Sequence, residues 1–151
     1  MAAPAADLRE FDVSAGSTET PGRVMCSVRN HHIIIDGPVQ NGFPGEEITP
    51  AELFLSAVAS CGVELVQMLA IQNDISLEAI NVKIHGLLDR GNPARTDYTV
   101  FNTVQVECRL RGVSQEQAEQ LVEGFTRRCP LFGSVAVATP DLQVRIVSDE
   151  T

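Results

Sequence analysis

The most sustained apolar stretch of the chain runs from Thr49 to Ala70. Phe54, Ala57, Val58, Cys61, Leu65, Met68 and Leu69 recur at helical spacing, and Leu55, Ala59, Gly62, Val63 and Val66 make the opposite side almost as apolar. The pattern predicts a long helix that must be covered on nearly every side. Its start is marked by capping chemistry: Thr49 can accept an N–H bond from the first turn, Pro50 suits the first helical position, and Glu52 can reach back to Thr49. About 22 residues would suffice to cross a bilayer. Glu52, Glu64, Gln67 and the early cap instead predict the centre of a soluble domain.

Elsewhere the period is two. Val24, Cys26 and Val28 alternate with Arg23, Met25, Ser27 and Arg29, and His31 to Asp36 follows with Ile33-Ile34-Ile35, predicting either a hairpin about Arg29-Asn30 or one bent strand. Phe11-Asp12-Val13 can begin an edge strand that Ser14-Ala15-Gly16-Ser17 breaks, after a loose tail at residues 1–8. Asp36-Gly37-Pro38 and Asn41-Gly42-Phe43-Pro44-Gly45 form a turn-rich approach to the long helix, of the kind that often rims a site. Beyond the helix, closed at Asn73-Asp74, Ile80, Val82 and Ile84 predict a strand, residues 89–97 an exposed loop, and the alternation from Val100 to Leu110 a further strand. Ser114-Gln115-Glu116-Gln117 is a capping box opening a helix with Ala118, Leu121, Val122 and Phe125 on one stripe. Pro130 interrupts that ladder and places Cys129 at its end. Val135 to Ala138, a turn at Thr139-Pro140-Asp141, and Leu142, Val144 and Ile146 are expected to close the fold as a hairpin. The order of strands, long helix, strands, helix and strands predicts an α+β fold, and 151 residues fit a single domain, 1–151.

Charge narrows the function classes. Eleven Lys and Arg against twenty Asp and Glu give a formal charge of −9, which repels nucleic-acid backbones and anionic membrane surfaces. The Met1-Ala-Ala-Pro-Ala-Ala start lacks a basic segment followed by an apolar one, so a cytoplasmic protein is expected. The four cysteines, at 26, 61, 108 and 129, form no C-x-x-C pair, and His31 and His32, adjacent on a strand, point to opposite faces. Free thiols, no metal and no bound cofactor are expected.

Cys26 and Cys108 share their faces with valines and read as core thiols. Cys61 can be a small core hydrophobe or a nucleophile; in mid-helix it gains nothing from the N-terminal dipole, so a reactive thiolate there needs a cation from elsewhere. Arg23 and Arg29, on the strand face opposite Cys26, are the candidates, each with a solvated sheet face as its plain alternative. Glu52 is either only a cap or the carboxylate that orients that arginine. Nine residues before Cys61, it lies about 13 Å away along the axis at roughly 1.5 Å per residue, too far to touch the sulfur. Glu64, one turn after Cys61, would raise the thiol pKa if unpaired.

Asp36-Gly37-Pro38, the glycine-rich approach, Thr-Pro-Ala-Glu-Leu-Phe-Leu-Ser-Ala-Val-Ala-Ser-Cys at 49–61, and Arg128-Cys129-Pro130-Leu131 together resemble the OsmC/Ohr family of organic hydroperoxide reductases, over most of residues 22–147. The resemblance implies an OsmC-like fold: an intertwined homodimer with a long central buried helix and a second helix enclosed by antiparallel sheets, and paired sites at the subunit interface. It makes Cys61 the peroxidatic thiol and Cys129 the resolving one, with Arg29 and Glu52 in support. Two positions depart from the organic-hydroperoxide pattern. Ala51 stands where that branch has its acid, which is displaced here to Glu52, and Arg29 matches the OsmC-like branch while Arg23 competes with it. The expected partners are a small-molecule hydroperoxide, an external dithiol reductant and a second copy of the chain. The competing expectation is a non-catalytic OsmC-like dimer that binds a small ligand in an apolar pocket.

Overall fold

The computed structural model describes residues 8–150. The loose tail expected at residues 1–8 lies outside them, apart from the exposed Leu8. Helices and strands are both present, as an α+β chain requires, and the chain divides between Leu53 and Phe54 into two compact units.

The first unit carries a three-stranded antiparallel sheet in the order β1 (Ser14–Ser17), β2 (Arg23–Val28), β3 (His31–Asp36). The hairpin about Arg29-Asn30 forms, with Arg29 taking the left-handed turn position at φ 53°. The strand before it falls on Ser14 to Ser17, where the residue types predict a break: register with β2, Ser14 against Ser27 through Ser17 against Val24, outweighs the weak strand preference of small residues. Cys26 is half-buried. In the turn-rich connection, the Phe43 ring packs onto Gly22 and Gly37, whose backbones are joined by a 2.7 Å N–H to carbonyl bond. A Cβ on either glycine would fall within that ring, and Gly22 also has φ +83°.

Helix α1 (Pro50–Gln72) is the long helix of the apolar stretch; Asn73 and Asp74, the latter at φ 53°, end it. The second unit adds β4 (Ala79–Leu87), β5 (Thr103–Arg111), α2 (Gln115–Arg128), α3 (Pro130–Ala138) and β6 (Asp141–Asp149). Ser114 caps α2 through the reciprocal box with Gln117, and its stripe of Ala118, Leu121, Val122 and Phe125 is fully buried. On β5 the alternation is clean: Val104, Val106, Cys108 and Leu110 are buried, while Gln105 and Arg109 are exposed. Cys108 is a core thiol, which burial, aided by Glu107, pushes up to about 11.

Three expectations are corrected. Residues 135–138 are not a strand but the last turn of α3, because Pro130 opens that helix as well as closing α2 and the Thr139 N–H bonds back to the Val135 carbonyl. The final strand is consequently no hairpin arm. With two helices between them, β5 and β6 pair in parallel, from Thr103 against Asp141 to Arg111 against Asp149, so the second sheet is mixed rather than antiparallel. Along α1, Val58, Gly62, Val66, Leu69 and Ala70 are buried within this chain, while Phe54 is 42% and Ile71 78% exposed. One sheet and one helix can shield only one stripe of an all-round apolar helix.

Phe125 is the most fully enclosed large side chain of this core, edge-on to Phe132 with ring centroids 5.3 Å apart and in contact with α1 at Gly62. Phe125→Ala should destabilise the protein by about 3–5 kcal/mol, read as a lowered urea midpoint with an unchanged slope.

Candidate active site

Cys61 and Cys129 meet inside the second unit. Cys61 comes from the middle of α1 and Cys129 from the junction of α2 and α3, and Cys61 packs against the apolar cluster that holds Cys129, near enough for that side chain to act on its thiol. Both are free thiols. Their approach follows from local packing. Gly62, bare of a side chain, lets the Phe125 ring close on α1, with a Cβ there predicted to lie 3.0 Å from the ring edge. Cys61 is the residue before that glycine, and Cys129 is one helical turn beyond Phe125, its N–H bonding the Phe125 carbonyl at 2.9 Å. The pair lies in the apolar cluster of Phe125, Phe132 and Val135, with Cys129 only 2% exposed and Cys61 half-buried.

The electrostatics of the pair are asymmetric. Burial is the largest influence on Cys61 and pushes its thiol up to about 12; the neighbouring Cys129 side chain and the Glu64 carboxylate act in the same direction. Glu64 thus has the sign its position on the helix predicts. Cys129 has a different setting. It is the N-cap of α3, and its sulfur accepts the Phe132 N–H at 3.3 Å.

Glu52 and Arg29 belong to the first unit, and each has a defined local role. Glu52 accepts both the Thr49 N–H and the Thr49 hydroxyl at 2.8 Å, which holds its carboxyl below the usual range. The cap is therefore made by Glu52 receiving from Thr49. Arg29 is exposed at its hairpin turn. Arg23 is engaged instead: its guanidinium donates to both oxygens of Asp36 and to Glu46, each at 2.8 Å. Asp36, with no exposed surface, also accepts the N–H groups of Glu46 and Glu47 at 3.0 Å. Four donors hold the Asp36 carboxyl far below the usual carboxylate range, with Arg23 first among them. Sequence reasoning missed this anchor; the one available signal was an acid ending the Ile33-Ile34-Ile35 run, where a buried carboxylate needs a cation.

Among the described residues no group of three or more His, Cys, Asp or Glu side chains is placed to hold a metal. An open cavity of about 620 Å³ lies on the polar face of the second sheet, over Lys83, His85, Glu107 and Arg145, and no cysteine lines it.

A family profile described as OsmC-like protein matches residues 43–145, a span that contains both thiols and the sequence joining them. The chain belongs to the OsmC-like family. Solved structures agree in fold. An OsmC-like protein from Mycoplasma pneumoniae superposes with a TM-score of 0.80 at 15% identity, over 93% of this chain and 98% of its own. An organic hydroperoxide resistance protein OsmC from Legionella pneumophila gives 0.71 at 20% identity, over 94% and 98%. A putative organic hydroperoxide resistance protein from Vibrio cholerae, with captopril bound in one of its active sites, gives 0.70 at 18%, over 97% and 96%. No curated protein matches the chain. The OsmC-like assignment rests on the family profile, and these neighbours, at such low identity, speak to the fold.

Asp36 generates a prediction. Its carboxyl is depressed in the folded state, so the stability it contributes is present above the ordinary carboxylate pKa of about 3.9 and is lost as pH falls below that value toward the folded pKa. Asp36→Asn should lower stability at pH 7 and flatten the acid arm of a stability profile, measured by urea denaturation from pH 7 to pH 2.

Proposed function

We propose that this OsmC-like protein is a thiol-dependent hydroperoxide reductase using Cys61 and Cys129 as its redox pair. The observation that carries the reading is that two free thiols far apart in sequence come together in one apolar cluster. Cys61 thiolate attacks the O–O bond of a hydroperoxide; the bond breaks, a proton is taken up, an alcohol leaves, and the sulfur becomes a sulfenic acid. Cys129 attacks that sulfur, water departs, and a disulfide forms. An external dithiol returns both to thiols by exchange. Apolar surroundings favour organic hydroperoxides over hydrogen peroxide.

The chemistry needs Cys61 ionised, and everything acting on it within the described chain opposes that. The missing cation is assigned to Arg29, since Arg23 is held by Asp36 and Glu46 while Arg29 stands exposed. The protein is read as a cytoplasmic homodimer in which a second copy covers the exposed stripe of α1. The upward push on Cys61 also supports a second reading, a dimer that binds a small ligand without turning it over.

Cys61→Ser should reduce peroxide consumption with a dithiol to the uncatalysed background, whereas Cys129→Ser should complete one turnover and leave a sulfenic acid that dimedone captures. Full activity in the Cys61 variant refutes the assignment, and wild-type thiols inert to cumene hydroperoxide establish the binding reading. Arg29→Gln should slow single-turnover oxidation at pH 7 by about tenfold for each pH unit by which the Cys61 titration moves up.

A further inference from the structure

The two sulfurs of the pair are not equivalent, and the difference bears on how the disulfide is reopened. Cys129 Sγ is built to receive negative charge. As the N-cap of α3 it faces the positive end of a nine-residue helix, and it already accepts the Phe132 N–H at 3.3 Å. The Phe132 N–H and the start of α3 are thus both aimed at Cys129 Sγ. Cys61 has no comparable support. It lies in the interior of α1, where the helix N–H groups are taken up by the backbone ladder, and the Glu64 carboxylate disfavours charge on it.

We infer that the Cys61–Cys129 disulfide opens in one direction only: the reducing thiolate attacks Cys61 Sγ, and Cys129 leaves as the thiolate held by the Phe132 N–H and the start of α3. The inference rests on the two cysteines being the redox pair of the proposed reductase and assigns what that reading leaves open, which sulfur meets the reductant. In the step, an S–S bond forms between the reductant and Cys61, the Cys61–Cys129 bond breaks, and its electron pair goes to Cys129. The second thiol of a dithiol then displaces Cys61, closing the oxidised dithiol and releasing the Cys61 sulfur. Cys129 thus acts twice, as the group that closes the bridge and as the group that departs when it reopens.

The test separates this step from peroxide turnover. Wild-type protein is oxidised with diamide, which makes the bridge without any peroxidase activity, and is then treated with excess 2-mercaptoethanol for a short time. The pool is acid-quenched and alkylated with iodoacetamide under denaturing conditions, and the peptides are mapped by mass spectrometry. The expected result is the mercaptoethanol adduct on Cys61 with alkylation on Cys129, in roughly tenfold excess over the reverse. An adduct chiefly on Cys129, or an even split, overturns the inference and leaves the reductase reading standing. Failure of diamide to bridge the two cysteines overturns both.

Discussion

The contact between the Phe125 ring and bare Gly62 sets the geometry on which the thiol pair depends. It fixes how closely α2 lies on α1, and both cysteines are defined relative to it: Cys61 is the neighbour of the glycine, and Cys129 is one turn past the ring. Any side chain at position 62 must push against a residue with no free surface, in a core at organic-crystal density where the ring has no room to retreat. The juxtaposition of the two thiols is thus an outcome of helix packing. Neither helix contains the site, and a shift of either one would part the sulfurs without altering a residue near them.

The two units are secured by different physics. The second is held by an apolar cluster in which α1, α2, α3 and the inner face of β4-β5-β6 contribute Val58, Val66, Phe125, Phe132, Val106 and Leu110. Among the described residues of the first, one charge is buried, Asp36, and the Arg23 fork and two backbone N–H groups converge on that carboxylate at the end of β3. A charge buried in this way is tolerable only when its oxygens are satisfied. The turn-rich segment leading to α1 is therefore pinned by a carboxylate and by the Phe43 ring lodged over Gly22 and Gly37, not by a large apolar contact.

Much of this was legible in the residue pattern, and the parts that were not share a cause. The limits of α1 and the Ser114–Gln117 box are local chemistry, written within a few positions, and they appear as read. Strands read at 22–29, 31–36 and 100–110 form at 23–28, 31–36 and 103–111, and the last of them buries one face cleanly. Residues 135–138 misled because a four-residue apolar run fits a strand or a helix equally, and because Pro130 has two meanings, a stop for α2 and a first residue for α3. Ser14–Ser17 and Asp36 depend on partners 7 to 13 positions away, Val24 through Ser27 for the strand and Arg23 for the carboxylate, which composition does not name. The pairing of Cys61 with Cys129 was reached through family resemblance, since no local pattern links positions so distant; what the resemblance did not carry was the sign of the local field on Cys61.

The parallel pairing of β6 with β5 sets the order in which this fold can be completed. Thr103 meets Asp141 across 38 positions, and the two helices that carry Cys129 lie within that interval. Closing so large a loop is entropically costly before the strand contacts repay it, so the last nine-residue strand joins the sheet late. Until β6 pairs, β5 therefore presents an open edge, and the segment that carries Cys129 is anchored to the sheet at one end only.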